Sequence, residues 1–150
     1  LGDVFVLVFF GPVAVGGTYY VQAQDIHSTV LLAGLGPGLI ATALLAVNNL
    51  RDVATDVQAN KLTLAVRFGP TFARVEYTAA LALACALPIA LVWLTGSHPF
   101  ALLALAAVPM SVSPLRRVWR EQGPHLNPAL GATGKVLLAH SLLFSLGWVL

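Results

Sequence analysis

Charge is what this chain lacks. Only 9% of its 150 residues are Asp, Glu, Lys or Arg, against 58% hydrophobic residues, and the mean hydropathy is +0.85. A soluble domain carries about a quarter charged residues, so most of this surface is not built to meet water. Cysteine is nearly absent as well. The lone Cys85 has no partner for an internal disulfide, and its place inside an apolar run reads as a small filler. The N-terminus lacks the basic region and small-residue cleavage pattern of a signal peptide. It opens without Met and enters an apolar run at once, so the chain is expected to be part of something longer. Membrane lipid is the expected surrounding; no nucleic-acid partner is expected.

What the chain does have is apolar runs of membrane-crossing length. About 30 Å of hydrocarbon needs about 20 residues of helix, and five runs qualify: 4–23, 29–50, 72–95, 98–114 and 133–150. None alternates polar with apolar as barrel strands do, so helices are the spanning form. The fold class is all-α, a polytopic membrane bundle of five transmembrane helices, with longer connections over about 51–71 and 115–132.

The cations support that count. Arg51, Lys61, Arg67 and Arg74 fall in or beside the second connection, Arg116, Arg117 and Arg120 in the fourth, and Lys135 at the start of the last span. The first and third connections hold no Lys or Arg. With five spans, every cation lies on one side, which the positive-inside rule makes cytoplasmic. The N-terminus is then expected in the cytoplasm and the C-terminus across the membrane.

The unusual stretch is VNNLRDVATDVQANKLTLAVRFG, residues 47–69. If the second helix runs on past the membrane boundary, Asn48, Asp52 and Asp56 fall at i, i+4 and i+8 along one face. Like charges at that spacing repel by a few tenths of a kcal/mol on an isolated helix, which a cation between them would relieve. Two carboxylates and an amide are hard oxygen donors that suit Mg²⁺, Mn²⁺ or Ca²⁺ rather than zinc. Two are too few for a calcium cage but match Mg²⁺, which keeps waters and shares phosphate oxygens with a substrate. A phosphate or diphosphate is therefore the expected third partner, with Lys61 and Arg67 as cationic donors to it. A solvated loop with local ion pairs is the plain alternative.

That stretch resembles the second aspartate-rich motif of the UbiA superfamily of intramembrane prenyltransferases. It is most similar to the 1,4-dihydroxy-2-naphthoate polyprenyltransferases of menaquinone synthesis, the MenA family. The similarity rests on Asn48-Asn49, Arg51-Asp52, Asp56, Lys61 and Thr63 to Arg67. More weakly, residues 2–20 resemble that family's fifth helix and 126–150 its last. The resemblance implies helices five to nine of a nine-helix fold, a single prenyltransferase domain of which this is the C-terminal portion.

It also implies a transferase that moves a polyprenyl group from polyprenyl diphosphate to an aromatic acid in a bacterial plasma (inner) membrane. Asp52 and Asp56 would bind Mg²⁺, and Asn48, Asn49, Lys61 and Arg67 would attend the diphosphate. The first aspartate-rich motif is missing, so this chain alone is expected to be inactive without the missing N-terminal helices. Asn60, where the family usually has Gly, and Leu62, where a basic residue is common, are expected to weaken the loop geometry or phosphate contacts. The alternatives are another aromatic acceptor such as 4-hydroxybenzoate, a cation-coupled membrane transporter, and a non-catalytic scaffold.

Other residues carry plainer expectations. Thr18, Tyr19 and Tyr20 suit an interfacial belt. Glu76 either lines a cavity or pairs with Arg74. His140 reads as a hydrogen-bonded packing residue. Gly34, Gly36, Pro37 and Gly38 should allow close helix approach or a kink. Arg116, Arg117 and Arg120 suit topology and anionic lipid.

Overall fold

A computed structural model describes residues 2–150. Five helices in it are long and apolar enough to cross a membrane: α1 (Gly2–Ala23), α2 (Ser28–Arg51), α5 (Pro70–Thr95), α6 (Pro99–Arg120) and α7 (Gly123–Val149). Two short helices, α3 (Val53–Gln58) and α4 (Leu64–Phe68), lie between α2 and α5. No strand occurs among the described residues, and the chain is an all-helical integral membrane protein.

The second helix is the axis of the bundle. It packs against α1, α5 and α7 and buries Ile40, Ala43, Ala46, Val47 and Leu50. Facing it, α5 offers Ala73, Tyr77, Ala80 and Ala84 at helical spacing, all buried. Lipid tails are as apolar as leucine, so such interfaces gain from small residues that let backbones approach. The larger apolar side chains turn outward: Phe10, Leu83, Trp93 and Leu138 are all exposed, as a lipid-facing surface requires.

Glycines set the closest approach. The first helix is interrupted by a π turn at Phe9–Val13, where Gly11 leaves helical geometry (φ −107°, ψ −109°) beside Pro12. Pro12 has no N–H and its ring crowds the preceding turn, a usual cause of a kink. There the two backbones touch, since a Cβ on Gly38 would sit 2.6 Å from the Leu7 carbonyl oxygen and one on Gly34 3.0 Å from Gly11. Despite Pro37, α2 stays one uninterrupted helix. The close approach expected of this glycine cluster is present; the kink is in α1 instead.

Two boundaries differ from the sequence reading. The fourth span was expected to stop at 114, but its helix runs six residues further to Arg120, and the fifth starts at Gly123 rather than 133. Most of 115–132 is therefore helical. Pro114 removes one backbone bond without ending the helix, and Arg117 and Arg120 sit in its last turn, where cations oppose the helix dipole favourably. Pro128 lies in the first turn of the α-helical part of α7, where its fixed φ and missing N–H cost nothing. The second and fourth connections meet at one end of the bundle: Arg74 Nε donates to the Val118 carbonyl at 3.0 Å. No Arg74–Glu76 pair forms, as residues two apart face different sides of a helix.

Candidate functional site

The site forms where α2 hands over to α3. At Asp52 the backbone leaves helical geometry (φ −97°, ψ 8°) for one residue, yet the i→i−4 bonding carries across it. Asp52 N–H donates to the Asn48 carbonyl at 3.1 Å, and Asp56 N–H to the Asp52 carbonyl at 2.8 Å. The spacing expected for Asn48, Asp52 and Asp56 is thereby kept through the joint.

The third helix ends in a Schellman motif. Asn60 takes the left-handed conformation (φ 53°), its N–H donates to the Val57 carbonyl at 3.2 Å, and Lys61 N–H reaches the Asp56 carbonyl at 2.8 Å. Asn is second only to Gly at such a position. The expectation that Asn60 weakens this loop is corrected accordingly: it fits the turn. The turn folds Lys61 back on Asp56, five residues earlier, and Lys61 Nζ lies 3.2 Å and 3.3 Å from its two carboxylate oxygens. Next, Thr63 caps α4 by accepting from Val66 N–H at 3.3 Å.

Arg51, absent from the expected site residues, is its most connected member. Its Nε and one terminal nitrogen donate to the two oxygens of Asp52 at 2.7 Å and 2.6 Å. The same terminal nitrogen donates to Asn48 Oδ1 at 2.8 Å, and the other to Asn127 Oδ1 at 3.0 Å, 76 residues away. One guanidinium thus ties the end of α2 to the start of α7. Its hydrogen bonds hold the Asp52 carboxyl below the usual carboxylate range, against the opposing effect of burial; the charges of Arg51 and Lys61 add to the lowering.

The structure gathers Asn48, Asp52, Asp56 and Lys61, with Asp56 buried and Lys61 more than half exposed. It does not bring in the other two expected residues. Asn49 is buried and takes no part in the Arg51 network, being a step of about 100° round the helix from Asn48. Arg67 lies exposed in the last turn of α4 and makes no ion pair with either aspartate. The α2 sequence alone suggested Arg51 only as part of a word; its i−3 relation to Asn48 was a usable signal, but Asn127 was not.

The donor set fits a hard divalent cation in kind. Only oxygens are offered, and no group of three or more His, Cys, Asp or Glu gathers among the described residues. A metal here would keep coordination positions for water and phosphate. Each carboxylate has a resident cation, but a carboxylate has about four acceptor sites, so pairing with Arg51 or Lys61 leaves sites free. The Lys61 contact is the longer of the two and its lysine the more exposed cation, and so the easier to redirect.

Residues 1–148 match the UbiA prenyltransferase family. The chain is 40% identical over 148 residues to the 1,4-dihydroxy-2-naphthoate octaprenyltransferase of Haemophilus influenzae, covering 98% of this chain and 48% of that protein. It is 42% identical over 149 residues to the protein of the same name from Escherichia coli, again 98% and 48%. It is also 33% identical over 152 residues to human UbiA prenyltransferase domain-containing protein 1, covering the whole chain and 43% of that protein. The chain spans about half the length of the curated relatives it matches.

Proposed function

We propose that this chain, which belongs to the UbiA prenyltransferase family, acts within a Mg²⁺-dependent enzyme that transfers a polyprenyl group from its diphosphate to 1,4-dihydroxy-2-naphthoate. The observation that carries the reading is the pair of aspartates held at one helix end by Arg51 and Lys61, in a chain about 40% identical to proteins named for that reaction. The setting would be the bacterial inner membrane, with the aspartate end facing the cytoplasm, as the one-sided cations suggest.

In this reading Asp52 and Asp56 hold Mg²⁺, whose contribution when bound is to neutralise the diphosphate leaving group. The chain's own residues do the rest at this end. Asn48 and Arg51 fix the Asp52 carboxylate, and Lys61 places an ammonium beside Asp56 where diphosphate oxygens can share it. Arg67, exposed nearby in sequence, is a further donor once the diphosphate is present. The allylic C–O bond breaks and its electron pair leaves with diphosphate; the electron-rich ring carbon bonds to the allylic carbon, and the ring carboxylate departs as CO₂, giving the demethylmenaquinone skeleton in its reduced form. Interactions aimed at the charge that develops on the leaving group supply the rate gain.

With one aspartate pair and half the length of its relatives, the chain by itself is expected to be inactive; measurable transfer by the purified 150-residue polypeptide would contradict this. In the full-length protein, Asp52→Ala or Asp56→Ala should lower turnover at least about 100-fold without loss of expression. Retained turnover would remove the aspartates from the site. Offering both aromatic acids tests the acceptor, since a preference for 4-hydroxybenzoate would overturn the naphthoate assignment. A transporter reading is disfavoured because such proteins place coupling acids near the bilayer midplane at broken helices, whereas Asp52 and Asp56 follow the end of α2.

A further inference from the structure

At the end of the bundle that carries the aspartates, three arginines stay outside their network. Arg116, Arg117 and Arg120 close α6, and Arg116 and Arg120, four residues apart, share one face of it. Arg117 is answered by Glu121, whose Oε1 accepts from its Nη1 at 2.9 Å. Arg116 and Arg120 are exposed and make no ion pair among the described residues. Three cations against one carboxylate leave two positive charges unanswered.

Two hollows flank these side chains, and Arg117, Arg120 and Glu121 wall both. The first, of 470 Å³, continues along α6 over Arg116, Ser113, Val112 and Pro109. Pro109 precedes Arg116 by seven residues, about 10 Å deeper in the span at 1.5 Å per residue, and Val112 is exposed. The floor of this hollow therefore turns from charged to apolar on its way into the bilayer. The second, of 690 Å³, lies past the end of α6 and is polar, with Gln122 and His125 in its wall. Trp119 marks the level between them. Its ring is exposed while its Nε1 donates to Thr78 Oγ1 at 3.1 Å, the half-wet setting that tryptophan takes at the headgroup boundary.

An apolar slot, then free guanidinium groups, then a polar hollow match an amphiphile that carries a chain, a phosphate and a polar head in that order. Guanidinium forks meet phosphate oxygens in paired, charge-assisted bonds, and basic pockets on transmembrane helices take anionic headgroups. A small soluble anion would leave the apolar slot unused. A choline head would bring its own cation against arginines that already lack a counter-charge. The sequence marked these arginines for anionic lipid in general, and the fold makes a shaped seat of them. We infer that the end of α6 holds one anionic phospholipid, its acyl chain along Val112 and Pro109, its phosphate on Arg116 and Arg120, and its polar head toward Gln122 and His125. The inference does not rest on the prenyl-transfer reading, since neither aspartate and no expected diphosphate donor takes part in it.

The test is native mass spectrometry of the full-length protein titrated in detergent with dioleoylphosphatidylglycerol, with dioleoylphosphatidylcholine as the neutral counterpart of the same chains. The anionic lipid should give a saturable one-to-one adduct at least about tenfold tighter than the choline lipid. A basic residue near an anionic headgroup is worth about fivefold, so Arg116→Gln with Arg120→Gln should weaken the adduct about 25-fold. Lys135→Gln removes a cation that lines neither hollow and should leave binding within about twofold. Val112→Trp fills the apolar slot without changing charge and should abolish the saturable adduct, so the proposal stays testable should the double arginine variant fail to insert. Inorganic phosphate should not displace the lipid. Equal binding of the two lipids would overturn the proposal, as would binding indifferent to the double arginine variant or to Val112→Trp. Displacement by inorganic phosphate would also overturn it, because the arginines would then form a site for a soluble anion.

Discussion

Gly38→Ala should destabilise the bundle far more than one methyl group suggests. The new Cβ would lie 2.6 Å from the Leu7 carbonyl oxygen and 2.9 Å from Gly11 Cα, against about 3.4 Å where ordinary contact begins. Both neighbours are backbone, so no side chain can rotate aside, and α1 and α2 must separate by about 0.8 Å. Overpacking of this kind costs about 1–3 kcal/mol. For a protein of 150–250 residues each kcal/mol moves Tm by roughly 2–4 °C, so the loss should be roughly 2–12 °C. The control is Gly17→Ala in α1, where an added Cβ meets nothing within 4 Å. Alanine is the better helix former by up to about 1 kcal/mol, so that variant should melt at the wild-type temperature or slightly above. Intrinsic-fluorescence melts of the three proteins in one detergent decide the matter. Equal shifts for Gly38→Ala and Gly17→Ala would refute the claim that backbone contact at Gly38 sets the α1–α2 distance.

Three further outcomes are expected. Tyr77 and Thr133 form a buried pair in which Thr133 Oγ1 donates to the Ala129 carbonyl at 2.8 Å and Tyr77 Oη, 2.9 Å away, therefore donates to Thr133. Tyr77→Phe should cost about 0.5–1 kcal/mol, whereas Thr133→Val, which strands the tyrosine hydroxyl, should cost about 1–3 kcal/mol; the reverse order in denaturation would refute this donor assignment. Because Asp52 is held below the usual carboxylate range, its stabilising contribution is complete above about pH 4 and is lost only as pH falls through its lower folded value. Melting temperatures of wild type and Arg51→Gln should therefore differ by a constant amount from pH 7 to 5 and converge in stronger acid. Convergence already at pH 6 would exclude this origin. Asn60→Gly should leave stability within about 0.5 kcal/mol, while Asn60→Val, forced to positive φ, should cost about 1–2 kcal/mol; equal melts would remove the turn from the account.

Much of the architecture was legible because membrane spans announce themselves by length and hydropathy. The limits of that signal show at α6 and α7. Hydropathy stops at charged residues, yet Arg117 and Arg120 continue a helix whose last carbonyls favour them. The start of the α-helical part of α7, after its opening turn at Gly123–Leu126, was marked instead by Asn127-Pro128, a helix-initiating pair. At the site, Asp52, Asp56 and Asn48 followed from helical spacing alone. Arg51 did not, because neighbours in sequence face different sides of a regular helix, whereas its two hydrogen bonds to Asp52 form where Asp52 leaves helical geometry, and Asn127 could be found only through tertiary packing. His140 shows the opposite case: its depth in the span was legible, but only the packed bundle shows its ring buried against Gly36 of α2 and beside the Ala84 backbone of α5.

The bridge from Arg51 to Asn127 also fixes an order of events during synthesis. Asn127 is made 76 residues after Arg51, a delay of roughly 4–15 s at about 5–20 residues per second. Until then the arginine can grip Asp52 and Asn48 but has nothing on the last helix to hold. The Arg51 guanidinium therefore gains its fourth hydrogen bond only once the start of α7 has been made and has packed beside the end of α2.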